Sequence, residues 1–389
     1  MRSSNYDPLN RFTGHAGKSS KMHRGKQPKR VLIFRPGSLG DTIVALPCFH
    51  LLARVFPDAE RRVLTNVRWK SVQVGVEAAL RGSGLVHGYF EVDHRRMFAH
   101  PRELWSLMQR IREWKPDLLV HLTEPRGVKR VFLEWAFFKL CGIGRIMGMP
   151  VSRELRNYRW DPERNAYEYE AARLGRCLSE IGEIHLDDRA NWDLLLSEDE
   201  RLEARTALGP ARSGEGLIVC GVGTAVDTKD WGSDNWLAFT KTLTDRASGH
   251  GLALVGATED FERAELVRRE WAGPSVNLCG KLTVRLSSAV MELASLYVGH
   301  DSGPMHLAAA AGIPCVSIFS ARIRAGIWFP YGAQHQILYH DVPCSDCDLD
   351  ICHRYQKRCI TSITVDEVTH AADEFLTKKE LEPWVKQSS

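Results

Sequence analysis

The sequence predicts an α/β protein made of two parallel-sheet domains that face each other across a cleft, and three observations predict it. Short apolar runs alternate with segments of helical periodicity; the alternation dissolves once, in a charged stretch near the middle, and then restarts; and several apolar runs end in glycine-containing turns that lead directly into a helix. At 389 residues the chain is also longer than one hydrophobic core usually serves.

The first half reads as repeated strand–helix units. "RVLIF" (30–34) precedes a helix from about Asp41 to Val55, and "RRVLT" (61–65) precedes "WKSVQVGVEAAL". "VHGYFEV" precedes "PRELWSLMQRIREW", with Pro101 at a helix start, and "DLLVHL" (117–122) precedes "VKRVFLEWAFFKL". Between about 185 and 215 charged and small residues take over, consistent with a linker that carries at most one short helix. "GLIVCGVG", "GLALVGA", "SLYVGHDSG" and "PCVSIFS" then renew the alternation. The expected division is a basic arm over 1–29, a first domain over 30–190, a linker over 191–215, a second domain over 216–365, and a helix and tail over 366–389.

Composition narrows the class. Apolar residues make up 44% and charged residues 26%, as in ordinary globular proteins, and the formal net charge is +4. Residues 1–30 hold eight Lys/Arg and one acidic residue, Asp7, with no apolar periodicity, so the arm reads as disordered. A solvated tail and a contact with RNA or an anionic membrane both fit it. No run reaches the roughly 18–20 apolar residues of a spanning helix; the nearest, "VFLEWAFFKLCGIG", is interrupted by Glu134 and Lys139. With no export signal, a cytoplasmic location is expected.

The turns carry the chemistry. In "VGHDSGPMHLAAAAGIP" a strand ends at Gly299, and Asp301, Ser302 and Gly303 form the turn. Pro304 then opens a helix that Gly312 ends. Exposed amides at that helix start favour an anion such as a diphosphate; Ser302 adds a hydroxyl, and His306 lies one turn along. The same residues also fit a plain helix cap and an interfacial histidine. "GVGTAVDTKDW" adds Gly221, Gly223, Thr224 and Lys229 after another strand, a pattern that suits a phosphate clamp or a solvated loop. "LVGATEDFERAE" places Glu259, Asp260 and Glu262 where a carboxylate can meet ribose hydroxyls or enrich a first helical turn.

"RPGSLGDTIVALP" (35–47) is the first domain's counterpart. Gly37 and Gly40 make the turn, and Asp41 is expected at or near the N-cap, as a cap or as a general base at the cleft mouth. Arg61, Arg62, Arg68, "DHRR" (93–96) and "EPRGVKR" (124–130) make this domain basic, and read as lying just after strands they line the cleft for an anionic partner. Of the ten cysteines, Cys48, Cys141, Cys177, Cys220 and Cys279 are scattered and Cys315 sits in an apolar strand. Cys344, Cys347, Cys352 and Cys359, spaced C-x2-C-x4-C-x6-C, leave a structural zinc, free thiols and redox-dependent disulfides open.

Taken in order, "RPGSLGDTIVALP", "GVGTAVDTKDW", "LVGATEDFERAE" and "HDSGPMHLAAAAGIP" resemble the family 9 glycosyltransferases, the lipopolysaccharide heptosyltransferases, over about residues 30–365. The resemblance implies a GT-B fold, two Rossmann-like domains with the acceptor in the first and the donor in the second. It implies Asp41 as catalytic base, and Thr224, Lys229, Ser302, Gly303 and His306 around the donor diphosphate. The family's ribose-binding glutamate falls on Asp260, a shorter carboxylate. Ser38, Gly40, Arg61, Arg126, Lys129 and Arg130 are the acceptor-side candidates. The implied reaction is inverting transfer of a sugar, heptose from ADP-heptose, to an anionic lipid-linked glycan on the inner face of the membrane. It implies no required metal or cofactor and no nucleic-acid partner. "LTEPRG" stands where many members have "DLQG", so the acceptor side can differ. A nucleotide-sugar epimerase or hydrolase of the same architecture, and a non-enzymatic nucleotide-binding protein, are the alternatives; a dehydrogenase is disfavoured because no clean G-x-G-x-x-G follows a first strand.

Overall fold

The computed structural model describes residues 27–66, 75–93, 100–212, 214–247 and 249–377. The basic arm up to residue 26, Arg68, His94 to Arg96 and the tail from residue 378 lie outside the described residues.

The first sheet comprises β1 (Arg30–Phe34), β2 (Glu60–Asn66), β3 (Gly88–Val92), β4 (Leu118–His121) and β5 (Arg145–Met147), with α1 (Leu39–Val44), α2 (Leu46–Val55), α3 (Val76–Leu80), α4 (Pro101–Trp114) and α5 (Val128–Leu140) between them. Its order is β3-β2-β1-β4-β5 and every pairing is parallel. β1 and β4 are covered on both faces, which is why their sequences are continuous apolar runs rather than alternating ones. Leu32, Phe34, Leu64 and Leu119 point to α4 and α5, while Val31, Ile33, Val63 and Val120 point to the other face. The expected single helix over 41–55 is two helices broken at Ala45, because Pro47 has no N–H to continue the ladder.

A connecting region follows, with α6 (Arg153–Arg156), the small pair β6 (Trp160–Asp161) and β7 (Ala166–Tyr167), α7 (Glu170–Cys177) and α8 (Glu198–Leu208). α8 falls inside the charged stretch that reads as a linker. It is started by a Ser197–Glu200 capping box and packs on the second domain's α11. Its polar sequence hides this attachment, because only Ala204 and Leu208 are buried.

The second sheet comprises β8 (Gly216–Gly221), β9 (His250–Leu254), β10 (Ser275–Asn277), β11 (Leu296–His300), β12 (Cys315–Phe319) and β13 (Gln336–Tyr339), in the order β10-β9-β8-β11-β12-β13, again all parallel. α9 (Ser233–Arg246), α10 (Phe261–Arg269), α11 (Val284–Met291), α12 (Gly303–Ala311), α13 (Arg358–Thr361) and α14 (Val365–Leu376) complete it. In each sheet the strand order reverses beside the first strand, so each has a crevice at its strands' carboxyl ends.

The two domains share one hydrophobic cluster. Ile43 and Phe49 of the first and Met305, Leu307 and Ala308 of the second belong to the same buried set. Arg285 on α11 fastens the join, donating to the carbonyls of Ala79 (3.1 Å) and Leu194 (2.9 Å) and pairing with Glu200.

Candidate active site between two strand-end turns

The β1–α1 turn holds Asp41. Ser38 is the N-cap, and Asp41 is the third helical residue, near the cap as expected, its carboxylate closing a capping box with Ser38. Its Oδ2 accepts from the Ser38 amide (2.7 Å) and the Ser38 hydroxyl (2.8 Å). Arg35, fully buried at the end of β1, donates through Nε to the Asp41 carbonyl (3.0 Å) and through Nη1 to the Leu122 carbonyl (2.8 Å), and its Nη2 lies 3.5 Å from Oδ1. Burial alone would raise the carboxyl's pKa. The Arg35 charge, a hydrogen bond from Glu124 and the two Ser38 bonds outweigh it and hold Asp41 below the ordinary aspartate value. Asp41 is therefore ionised at neutral pH.

Glu124, just past β4, is the partner that sequence reasoning passed over. Its backbone is fixed from below by two buried arginines. Arg35 holds the Leu122 carbonyl, and Arg173, paired with Glu170, donates to the Thr123 carbonyl at 2.6 Å. Glu124 is exposed, and its carboxyl lies beside the Asp41 carboxylate. Loss of hydration, then the Asp41 charge and the hydrogen bond to it, raise its pKa to about 8. Of the two carboxyls, Glu124 is the one shifted toward holding a proton and Asp41 the one shifted toward staying charged.

The β11–α12 turn holds the opposing set. Ser302 is the N-cap of α12, but its hydroxyl turns back to the His300 carbonyl (3.3 Å), and no side chain caps the helix. The Gly303 and Met305 amides are left at the open helix start, Pro304 contributing none. Lys229 reaches across from the β8 loop, its Nζ 2.6 Å from Asp301 Oδ2 and 3.3 Å from the Asp301 carbonyl. The loop itself is pinned by buried His300, whose Nε2 accepts from the Trp231 amide (3.1 Å), leaving Nδ1 to donate to the Gly223 carbonyl (3.4 Å). Burial lowers the His300 pKa to about 4, so it stays neutral in this role. Thr228 adds an anchor outside the sheet, its hydroxyl donating to the Leu349 carbonyl (2.7 Å).

The turns touch. A Cβ on Gly40 would lie 2.8 Å from Cδ2 of His306, and one on Gly303 would lie 2.7 Å from a Leu39 methyl. Gly40 is therefore required by the close approach of the two domains. His306 is buried between Gly40 and Asp301 (4.0 Å), and burial lowers its pKa to about 4, so it faces the cleft as a neutral imidazole. Asp260 lies at the β8–β9 crevice, where Gly223 leaves room for its carboxylate; Oδ2 accepts from the Ala257 amide (2.8 Å). Thr224 sits half-buried in the same loop, its hydroxyl near the Val226 amide (3.4 Å).

One acceptor-side expectation, Arg61, is corrected. Arg61 lies at the amino end of β2, away from the cleft, and is spent on the carbonyls of Leu85 (2.8 Å), Phe56 (2.7 Å) and Gly84 (3.0 Å). Arg62 is beside it and pairs with Glu60. Arg126 and Arg130 do border β4, but both donate to the buried Glu134 (2.8 and 2.9 Å), which also bonds His121 (3.0 Å). Burial would raise the Glu134 pKa; the His121 and arginine contacts overcome it and bring it to about 2. Ser38 is committed to Asp41, and Lys129 is exposed on α5. All ten cysteines are free thiols, and among the described residues no three of His, Cys, Asp and Glu are placed to hold a metal, so of the three readings left open for the late cysteines the structure supports free thiols. Their loop braces the site, with Arg322 joining Asp348 and Asp350 next to the Thr228 anchor.

A cavity of about 510 Å³ opens on the other side of His306, lined by Ile43, Tyr169, Ala310, Phe329 and Tyr331. It is mostly apolar, with Glu170, Asp187 and Arg189 also on its wall, and neither Asp41 nor Lys229 lines it.

This geometry has relatives. The signature of glycosyltransferase family 9 (heptosyltransferase) matches residues 136–356, more than half of the chain. The lipooligosaccharide heptosyltransferase 2 of Campylobacter jejuni is 24% identical over 148 residues, 37% of this chain and 46% of that protein. The chain thus spans about half the length of this curated relative. Among solved structures, the family 9 glycosyl transferase of Veillonella parvula superposes with a TM-score of 0.65 at 17% identity, covering 90% of this chain and 97% of that one. The ADP-heptose lipopolysaccharide heptosyltransferase II of Escherichia coli gives 0.59 at 18%, covering 89% and 98%. At such identities the likeness carries the fold, the GT-B arrangement of two facing Rossmann-like domains. The matched signature supplies the rest, and the chain belongs to glycosyltransferase family 9, the heptosyltransferase family.

Proposed function

We infer that the protein is an inverting glycosyltransferase in which Asp41 is the general base. The observation that carries this is the contact of the two turns, which sets an ionised carboxylate beside an uncapped helix start and a lysine. In the proposed step an acceptor hydroxyl gives its proton to Asp41 as its oxygen attacks the anomeric carbon. The bond from that carbon to the diphosphate breaks on the opposite side. Lys229 and the Gly303 and Met305 amides receive the charge growing on the leaving nucleoside diphosphate. Thr224 and Ser302 are proposed as hydroxyl donors to the same phosphates. Neutral His306 fits there as a hydrogen-bonding wall between donor and base. Asp260 is proposed for the ribose hydroxyls through Oδ1.

The relatives' names point to heptose from ADP-heptose as the transferred unit and to a lipopolysaccharide core or related lipid-linked glycan as acceptor. An acceptor of that kind places the enzyme on the cytoplasmic face of the inner membrane. Nucleoside diphosphates test the donor. ADP is expected to raise the melting temperature more than UDP or GDP at equal concentration, since a ligand that binds only the folded state stabilises it in proportion to its affinity. Equal shifts from all three would remove the adenine assignment, and no shift from any would remove the donor site.

A further inference from the structure

The outer face of α5 is an unusual surface for a water-exposed helix. Val128, Phe132, Leu133, Trp135 and Leu140 are 60%, 62%, 47%, 41% and 62% exposed. The helix's other fully exposed residues are Lys129 and Lys139. Its one acidic residue, Glu134, is turned inward and is 0% exposed. Phe132 and Trp135 stack at 5.8 Å instead of burying themselves. On α4, Arg112 donates through Nε to the Leu140 carbonyl, and Trp105 is 57% exposed. Contiguous apolar surface of this kind marks a docking face.

We propose that the outer face of α5 seats the enzyme on an anionic lipid bilayer. The side chains present are those that insert at a headgroup boundary, aromatic and aliphatic groups beside lysines, with no exposed carboxylate on α5 itself. Thirteen residues lying flat are a surface anchor, and among the described residues no helix is long and apolar enough to cross a membrane. The helix begins at Val128, just after Glu124 and Arg126, so the patch starts at the rim of the acceptor side of the cleft. Bilayer rather than protein is the occupant because the acceptor proposed above is lipid-anchored, and the deeper claim rests on that reading; vesicle binding itself requires no sugar transfer.

The full chain is floated with vesicles of phosphatidylcholine alone and of phosphatidylcholine with one quarter phosphatidylglycerol. Wild type is expected to float with the anionic vesicles and much less with the neutral ones. Phe132→Ser with Trp135→Ser should cut the bound fraction by about tenfold or more. Lys139→Glu should cut it less and only on anionic vesicles. Because Phe132 and Trp135 are exposed, the melting temperature and its shift with ADP should be unchanged in that double variant. Wild type that stays unbound overturns the proposal. So do variants that float as well as wild type, which would assign binding to the basic arm. A wild-type dimer that the Phe132→Ser, Trp135→Ser variant dissolves overturns it too, in favour of a second copy. If vesicle binding holds but ADP gives no shift, the glycosyltransfer reading fails while the surface stands.

Discussion

The β1–α1 and β11–α12 turns are built on one plan and finished in opposite ways. Each follows a central parallel strand, carries an aspartate, rests on a buried basic or imidazole side chain, and opens a helix toward the cleft. In the first, the aspartate reaches back to its own N-cap and is kept ionised by buried Arg35. In the second, the aspartate takes a lysine from a neighbouring loop, the N-cap serine turns away, and the helix start is left open. A helix start attracts anions in either case. The first turn fills that position with its own carboxylate and cannot also receive a phosphate; the second neutralises its carboxylate and can. One supersecondary unit thus serves as base or as anion seat according to which partner its aspartate finds.

Breaking the first turn should have the largest effect. Asp41→Asn retains an oxygen for the Ser38 amide but cannot accept a proton, so transfer should fall by roughly 10²–10⁴-fold while folding is preserved. Product formation at saturating donor measures it; a rate near wild type would show that the two turns do not divide the work. Breaking the second turn should cost less. Lys229→Ala strips the partner from Asp301 and leaves a carboxylate facing the diphosphate, so ADP affinity by calorimetry should weaken roughly ten- to a hundredfold. Asp301→Ala added to Lys229→Ala should recover part of that loss, because it removes the unpaired charge. Unchanged affinity in the single variant would take Lys229 out of the donor site.

Most of this comparison could be read from the chain, and the unread part has a common cause. Apolar runs, glycine turns and the Pro304 helix start are local signals, and both sheets follow from them. The residues that were missed or misassigned act over long separations. Arg35 meets Leu122, Arg173 meets Thr123, His300 meets Trp231, and nothing local distinguishes these buried groups from surface ones. Arg61 was misplaced for a simpler reason. A basic residue beside an apolar run can lie at either end of a strand, and Arg61 lies at the amino end, where neighbouring carbonyls absorb it. Glu124 was legible only as a departure from "DLQG"; its partner lies 83 positions away in sequence.

Glu124 also sharpens the comparison, because the second turn has no counterpart to a proton shared between two carboxyls. Its folded pKa of about 8 lies above its ordinary value of 4.5, so the folded protein holds this proton more tightly than the unfolded chain does. The stabilisation is complete below the unfolded value and is lost as pH rises through about 8. Glutamine keeps an N–H to donate to Asp41 and cannot ionise. Glu124→Gln should therefore match wild type near pH 5 and grow more stable than wild type as pH approaches about 8 and passes it. The effect should be modest, because Glu124 is exposed and water screens the repulsion between the carboxylates. Melting curves of the two proteins across that range measure it directly. Parallel curves would mean that folding does not raise the Glu124 pKa, by burial or by Asp41, and that Arg35 and Ser38 alone keep the base charged.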